Sequence, residues 1–200
     1  MFIKHAFKKA LIISGLMGSS AAMAAMGGTP IQGGSGSVNI TGTVSAATCS
    51  AAIDSTNHSF IVTTAELAQP SGTSIARPYS TITLTGCNGL TLNPTVNASI
   101  LYSSDGWYGA FSGYTDNTIS PLRYQVAFEG DGISGGAISN GLVVTTLNGL
   151  APPKGPVNIP VNSDHYVLKL ITDIKTTGNG YNDGISLTPT ATYTYNLNYA

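Results

Sequence analysis

The sequence predicts an all-β fold, a sandwich of two sheets built from short strands. At the carboxyl terminus, residues 185–199 alternate without a break between apolar and polar side chains, as a strand with one buried face does. The chain has 24 glycines and only 8% charged residues, a composition that favours strands joined by tight turns over helices. Turn signals such as Asn88-Gly89, Asp131-Gly132 and Asn140-Gly141 recur at the spacing of a sandwich. A length of 200 residues suits one domain.

The amino terminus has the pattern of a secretory signal peptide over residues 1–24. Three lysines among the first nine residues precede an apolar run and then a stretch of small residues, which is the order that export signals show. Ala22-Met23-Ala24 places small residues just before a cut, so we expect cleavage between Ala24 and Ala25. The apolar run is too short to span a bilayer. We therefore expect a soluble, exported mature chain.

Residues 25–47 are predicted to form an arm ahead of the sandwich domain, which we place at 48–200. The first part of the arm contains Gly33-Gly34-Ser35-Gly36 and lacks bulky apolar side chains that would hold it against a core. The second part alternates like a strand with one apolar face. The residues of that face are Val38, Ile40, Gly42 and Val44. The arm therefore carries a predicted strand that stands apart from the domain.

Seven further strands are predicted between the arm and the terminal strand, from short apolar or alternating runs bounded by turn residues. They cover Phe60–Thr63, Tyr79–Cys87, Leu92–Tyr102, Leu122–Phe128, Gly141–Thr146, Val157–Val161 and Tyr166–Ile174.

The terminal strand is expected to need a partner strand from elsewhere. It places Tyr193, Tyr195, Leu197 and Tyr199 on one face, and the sequence ends one residue later. With no following segment to pair beside it, one edge of this strand stays open, and an open edge is a template for strand addition. The sequence thus predicts a donor strand in the arm and an acceptor edge at the carboxyl terminus.

Two cysteines, Cys49 and Cys87, remain after export. In an exported chain an even number of cysteines predicts a disulfide first. Closing a loop of this length contributes about 4 kcal/mol in the chain-entropy description. A metal site is much less favoured, because neither cysteine has a second cysteine or a histidine at ligand spacing.

The net charge and the histidine content argue against nucleic-acid binding and against catalysis. After the signal peptide is removed, five basic residues face nine acidic ones, a formal charge of −4, which disfavours nucleic-acid binding through a basic patch. The mature histidines are His58 and His165, and Asp164 beside His165 would point to the other face of a strand. We therefore expect no catalytic residues, no cofactor and no metal.

An aromatic cluster is the best candidate for a ligand surface. Trp107, Tyr108 and Tyr114 lie among serine, glycine and aspartate, and exposed aromatic rings stack on sugars. The favoured alternative is that these rings close one end of the sandwich or line a contact between subunits.

Three motifs, in this order, resemble the pilin subunits of chaperone-usher fimbriae of the type 1 and P pilus kind. The first is Gly36–Val44 leading into Cys49, the second is Thr83–Cys87, and the third is the terminal strand with Tyr199 as its penultimate residue. The resemblance implies an incomplete immunoglobulin-like sandwich that is completed by a donor strand from a neighbouring subunit. In such families a periplasmic chaperone first lends a strand, and the arm of the next subunit then replaces it.

The resemblance also implies roles for particular residues and partners. Val38, Ile40, Gly42 and Val44 would form the donor face, and the strand from Tyr193 to Tyr199 would line the acceptor groove and contact the chaperone. The function implied is that of a structural subunit of a bacterial surface fimbria, polymerising by donor-strand exchange and supporting adhesion. Its partners would be other pilin subunits, a periplasmic chaperone and an outer-membrane usher. The alternative is a carbohydrate-binding adhesin subunit of such a fimbria, with host glycans as ligands.

Overall fold

A computed structural model describes residues 30–44, 49–112, 120–150, 152, 154–179 and 188–200. Within these residues the chain forms strands in two sheets and one helix of a single turn. The elements are β1 (Pro30–Val44), β2 (Ser50–Ile53), β3 (Asn57–Thr63), α1 (Thr64–Leu67), β4 (Ser74–Ala76), β5 (Tyr79–Thr85), β6 (Thr91–Ala98), β7 (Gly109–Ala110), β8 (Leu122–Glu129), β9 (Ala137–Ser139), β10 (Leu142–Thr145), β11 (Ile159–Pro160), β12 (His165–Thr176) and β13 (Thr190–Tyr199). The predicted all-β class is confirmed.

The first sheet has the strand order β11-β6-β13-β1-β3. The arm strand β1 therefore lies inside the sheet, parallel to β13 on one side and antiparallel to β3 on the other. The terminal strand β13 pairs with β6 along its other edge, antiparallel. The arm strand β1 therefore pairs with the edge of the terminal strand that was predicted to be open.

The second sheet has the order β2-β5-β12-β8-β10-β9, with β4 also pairing β12 and β7 also pairing β8. Its neighbouring strands are antiparallel throughout. β12 lies at its centre, where Leu168, Leu170 and Ile174 face the core.

One apolar core lies between the sheets, and a chain of aromatic rings crosses it. The ring centroids of Phe60 and Phe111 lie 5.6 Å apart, those of Phe111 and Tyr124 5.5 Å, and those of Tyr124 and Tyr193 5.9 Å. These separations are those of attractive aromatic pairs. The rings join β3 and β13 of the first sheet to β8 of the second, so the core holds the two sheets face to face.

The seven internal strand predictions each overlap a strand of the structure, although the ends move by several residues. β6 ends at Ala98, four residues before the predicted end, and β12 extends to Thr176. The short strands β2, β4, β7 and β9 were not predicted, because two to four residues are too few to show an alternation. The helix α1 was missed as well, although Thr63 and Glu66 form its capping box and stand at the spacing that marks one.

Several sequence-based predictions fall on residues that the structure does not describe. These are the signal peptide, the cleavage site between Ala24 and Ala25, the first residues of the arm, and the part of the terminal alternation before Thr188. Among the residues that are described, no helix has the length and the apolar character needed to cross a membrane.

Candidate functional site

The candidate site is the groove between β3 and β13, which β1 fills. β3 and β13 are not neighbours in the sheet, and β1 alone stands between them. The side chains of Phe60, Val62, Tyr193, Tyr195 and Leu197, which flank this space, are buried. We call the space between these two strands the acceptor groove. Without β1 it would expose two unpaired strand edges and an apolar floor, the combination that attracts another strand.

Two residues of the predicted donor face, Val38 and Ile40, are buried in the acceptor groove. Val38 is 0% exposed and Ile40 is 1% exposed, while Asn39 and Thr41, which alternate with them, are exposed. Transferring two such side chains from water contributes about 3–6 kcal/mol. The backbone of Val44 pairs with that of Leu197 at the end of the ladder. The alternation in the arm therefore marks the buried face correctly.

Two glycines of β1 are fitted to aromatic rings of the groove. Gly42 lies opposite Tyr195, and Gly36 lies opposite Phe60. A Cβ atom built on either glycine would overlap the ring of its partner. The missing side chain of Gly42 therefore leaves room for the Tyr195 ring. The inward face of β1 therefore consists of two apolar side chains, Val38 and Ile40, with a glycine on either side that leaves room for an aromatic ring.

The structure corrects two sequence-based interpretations of the groove. Tyr199 was assigned to its lining, yet it is 44% exposed, because the ladder between β1 and β13 ends at Leu197 and Tyr199 pairs only with Leu92. The glycine-rich segment Gly33–Gly36 was predicted to make no contact with a core. It is part of β1, and Gly36 is buried under the Phe60 ring.

The tyrosines of the groove are held neutral by burial. Burial raises the pKa of Tyr193 far above its ordinary value, although its bond with the Thr172 hydroxyl partly opposes this. The Tyr193 hydroxyl lies 2.9 Å from Thr172 Oγ1. Burial also raises the pKa of Tyr195. The groove therefore presents no charge from these residues, which suits an apolar strand.

The disulfide between Cys49 and Cys87 is present in the structure, as predicted. The two Cα atoms lie 4.6 Å apart, and the cysteines are 38 positions apart in sequence. Cys49 follows β1 by five residues and precedes β2, and Cys87 follows β5. The bond therefore fixes the base of the arm to the second sheet.

β1 is staggered against its two neighbours. Its pairing with β3 runs from Pro30 to Asn39, with an irregularity between Pro30 and Ser35, whereas its pairing with β13 runs from Ser37 to Val44. Only Ser37–Asn39 pair in register on both sides. Each end of β1 is therefore held along one edge, and the strand is clamped on both edges near its middle.

The aromatic cluster is largely used for packing. Trp107 is partly buried against Ala127, Val144 and Ile171 on the outer face of the second sheet. The Arg123 guanidinium carbon lies 3.8 Å from the centroid of the Tyr108 ring, a stacking that stabilises both groups. Tyr114 lies outside the described residues. Ligand binding by this cluster stays a prediction.

A loop carboxylate supports the same region. Asp105 accepts hydrogen bonds from the Ser103 hydroxyl and, at 3.1 Å, from the Trp107 N–H. The Ser103 hydroxyl, followed by the Trp107 N–H and the Arg123 charge, lowers the pKa of Asp105 against the opposing effect of burial. These bonds fix the loop that carries Trp107.

The histidines do not form a catalytic arrangement with their sequence neighbours. His58 Nε2 lies 2.7 Å from Ser80 Oγ, which donates to the Ser55 carbonyl. The Ser163 hydroxyl donates to the backbone carbonyl of His165 rather than to its ring. Among the described residues, no three His, Cys, Asp or Glu side chains are grouped closely enough to hold a metal ion.

A buried ion-pair network on the second sheet was not predicted. Asp173 is 0% exposed and Lys175 is 3% exposed, and Lys175 Nζ lies 3.3 Å from Asp173 Oδ2. Arg77 Nε lies 3.1 Å from Asp173 Oδ1, and Lys175 also donates to Ser139 Oγ at 2.9 Å. The sequence signal was a pair of opposite charges two residues apart, Asp173 and Lys175, within a largely apolar strand. The network joins β12 to β9 and to the segment after β4, which is a structural role.

No protein-family profile and no curated protein sequence matches this chain.

Proposed function

We propose that this chain is a structural subunit of a bacterial surface fimbria, assembled by donor-strand exchange after chaperone-assisted export. The observation that carries the proposal is the position of β1. A strand from an amino-terminal arm separates two strands that do not pair with each other, and buries Val38 and Ile40 in the acceptor groove.

The contacts that hold β1 do not require it to belong to the same chain. They consist of main-chain ladders to β3 and β13, two buried apolar side chains, and two glycines under aromatic rings. The arm of a second copy carries the same residues, so it offers the same groups to the same groove. Strand addition to such a groove gains main-chain hydrogen bonds and side-chain pockets together. In this proposal a periplasmic chaperone protects the groove first, and an outer-membrane usher guides the exchange.

The test is fibre formation by a chain whose arm has lost its apolar face. The variant Val38→Ser/Ile40→Ser should yield no long fibres, because its arm can no longer fill a neighbour's groove. The matched control, Asn39→Ser/Thr41→Ser, changes the exposed face of the same strand and should polymerise like the unmodified chain. Deletion of residues 25–46 should also give a subunit that cannot donate.

The measurement is electron microscopy of the purified assemblies, with the subunit identified by mass. Long fibres from the deleted chain alone would show that the arm is not the donor and would overturn the proposal.

A further inference from the structure

We propose that β1 acts as an intramolecular plug: while it lies in its own acceptor groove, the subunit can neither donate its arm nor accept another. This inference rests on the proposed function, whose regulation it describes. One arm has two destinations, the groove of its own chain and the groove of a neighbour. Because one strand cannot occupy both, the conformation described above is a closed state that keeps the subunit monomeric.

The tether favours the closed state. Val44 is joined to Cys49 by only four residues, and Cys49 is fixed to the second sheet by its disulfide. A strand on so short a tether is present at an effective concentration in the millimolar range for its own groove. An arm from another copy, free in solution, competes against this local concentration. Exchange therefore starts from release of the bound β1.

The ladders of β1 provide a route for release. Pro30, Ser35 and Gly36 pair in register only with β3, and residues 40–44 pair in register only with β13. Each end can detach by breaking one ladder, and the segment held on both sides is Ser37–Ile40, because the Ile40 N–H also donates to the Thr56 carbonyl at 2.7 Å. The same stagger that completes the sheet thus leaves both ends of the plug open to displacement.

The first experiment locks the plug with a disulfide. Asn39 and Asn57 are exposed and lie directly opposite each other on β1 and β3, and antiparallel neighbours lie at Cα separations of about 4.5–5.5 Å, within disulfide range. Asn39→Cys/Asn57→Cys should stay monomeric when oxidised and should regain the assembly rate of the unmodified chain after mild reduction. The control, Thr83→Cys/Val167→Cys, links two strands of the second sheet that are also in register and should assemble in either redox state. Assembly of the oxidised arm-locked chain would overturn the proposal.

The second experiment measures groove access without polymerisation, using a fluorescent peptide of residues 30–44 and the monomeric full-length chain. Ile40→Ala weakens the chain's own plug but leaves both the groove and the peptide unchanged. Peptide uptake, followed by anisotropy, should be about 30-fold faster or more than for the unmodified chain, given the usual cost of such a truncation. Asn39→Ala on the exposed face should leave the rate unchanged, and the oxidised locked chain should take up no peptide. Measurable uptake at the same rate by all four chains would overturn the plug.

Amide hydrogen exchange separates failure of the plug from failure of the proposed function. If no chain takes up peptide but the Val38 and Ile40 amides of the monomer are protected, the plug is present and donor-strand exchange is rejected. If those amides exchange as fast as in an unfolded chain, the arm does not occupy its own groove and the plug is rejected.

Discussion

At the residue scale, the fit of β1 in the acceptor groove depends on its glycines, which have no side chain, as much as on its apolar side chains. Val38 and Ile40 fill space with side chains, whereas Gly36 and Gly42 leave space for the rings of Phe60 and Tyr195. A side chain at either glycine position would meet a ring that is itself packed in the core. This complementarity fixes the register of β1, because a shift by two residues would place Ile40 or Val38 under a ring.

Gly42→Val should destabilise the folded chain by about 1–3 kcal/mol, because the new side chain overlaps the Tyr195 ring and forces repacking. In a Tyr195→Ala background the same substitution should cost less, since the ring is gone. Urea unfolding of the two single variants and the double variant measures this coupling. Thr41→Val, at the exposed neighbouring position, is the control. Additive effects of Gly42→Val and Tyr195→Ala would contradict the proposed contact.

His58 should make stability depend on pH just below neutrality. Burial lowers the pKa of His58 below its ordinary value of 6.5, and the charge of Asp54 only partly opposes this. As the pH falls through 6.5, the unfolded chain binds the proton before the folded chain does. The free energy of unfolding therefore decreases from pH 6.5 down to the folded-state pKa and levels off below it.

Urea unfolding of the unmodified chain and of His58→Gln across pH 5–8 measures this effect. The unmodified chain should lose stability towards pH 5, and the variant should show a flatter profile. Asp54 and Asp105, whose pKa values are also lowered, act below pH 4 and leave this window undisturbed. An identical slope in both chains would assign the pH dependence to other groups.

At the scale of elements, β1 and β13 are two strands with one buried face each, brought side by side. In β13 the buried residues Ala191, Tyr193, Tyr195 and Leu197 alternate with residues that are exposed or half-buried. A charged substitution in β13 should therefore be strongly destabilising on the buried face and mild on the exposed face. This asymmetry tests which face lines the groove.

Leu197→Asp should cost at least about 3 kcal/mol of unfolding free energy, because it places an unpaired carboxylate in the core beneath β1. The matched control is Thr194→Asp, which adds the same charge on the same strand at an exposed position and should change stability by less than about 0.5 kcal/mol. Thermal unfolding and the periplasmic level of the two variants, with and without co-expressed chaperone, provide the measurement. Equal behaviour would mean that the buried face of β13 has been assigned incorrectly.

At the scale of the whole molecule, the disulfide cross-links the end of the arm to the second sheet, while β1 itself belongs to the first. The disulfide from Cys49 to Cys87 thus holds the point where the chain crosses between sheets. It limits where the arm can go whether β1 is docked or released. Its loss should affect overall stability rather than the groove alone.

Cys49→Ser/Cys87→Ser should lower the free energy of unfolding by about 2–4 kcal/mol, since the unfolded chain regains the freedom of a 38-residue loop. Urea unfolding measures the loss, with Ser50→Ala at an exposed neighbouring position as the control. The unmodified chain, denatured without reductant, should show no reactive thiol. Two free thiols would mean that the bond does not form in the mature protein.

Sequence patterns predicted the faces of the strands well and their partners poorly. The alternations in the arm and in β13 identified Val38 and Ile40 and the odd-numbered residues of Tyr193–Leu197 as buried, which the structure confirms, since a period of two residues fixes which face is apolar. Tyr199 continues the same alternation but lies past the end of the neighbouring ladder, a limit set by strand register. The buried pair Asp173 and Lys175 was missed because its burial depends on elements distant in sequence.

The sequence by itself determined the all-β class, the apolar faces of β1 and β13, and the two cysteines that pair. These properties are local or compositional, so they follow from periodicity and residue type. Only the tertiary structure decided that β1 lies in the groove of its own chain, parallel to β13 and staggered against β3. An alternating sequence indicates which face of a strand is buried. It does not indicate which strand pairs with it or in which direction, because main-chain hydrogen bonding does not depend on the side chains. That choice depends on the length of the tether and on whether rings and glycines coincide across the groove.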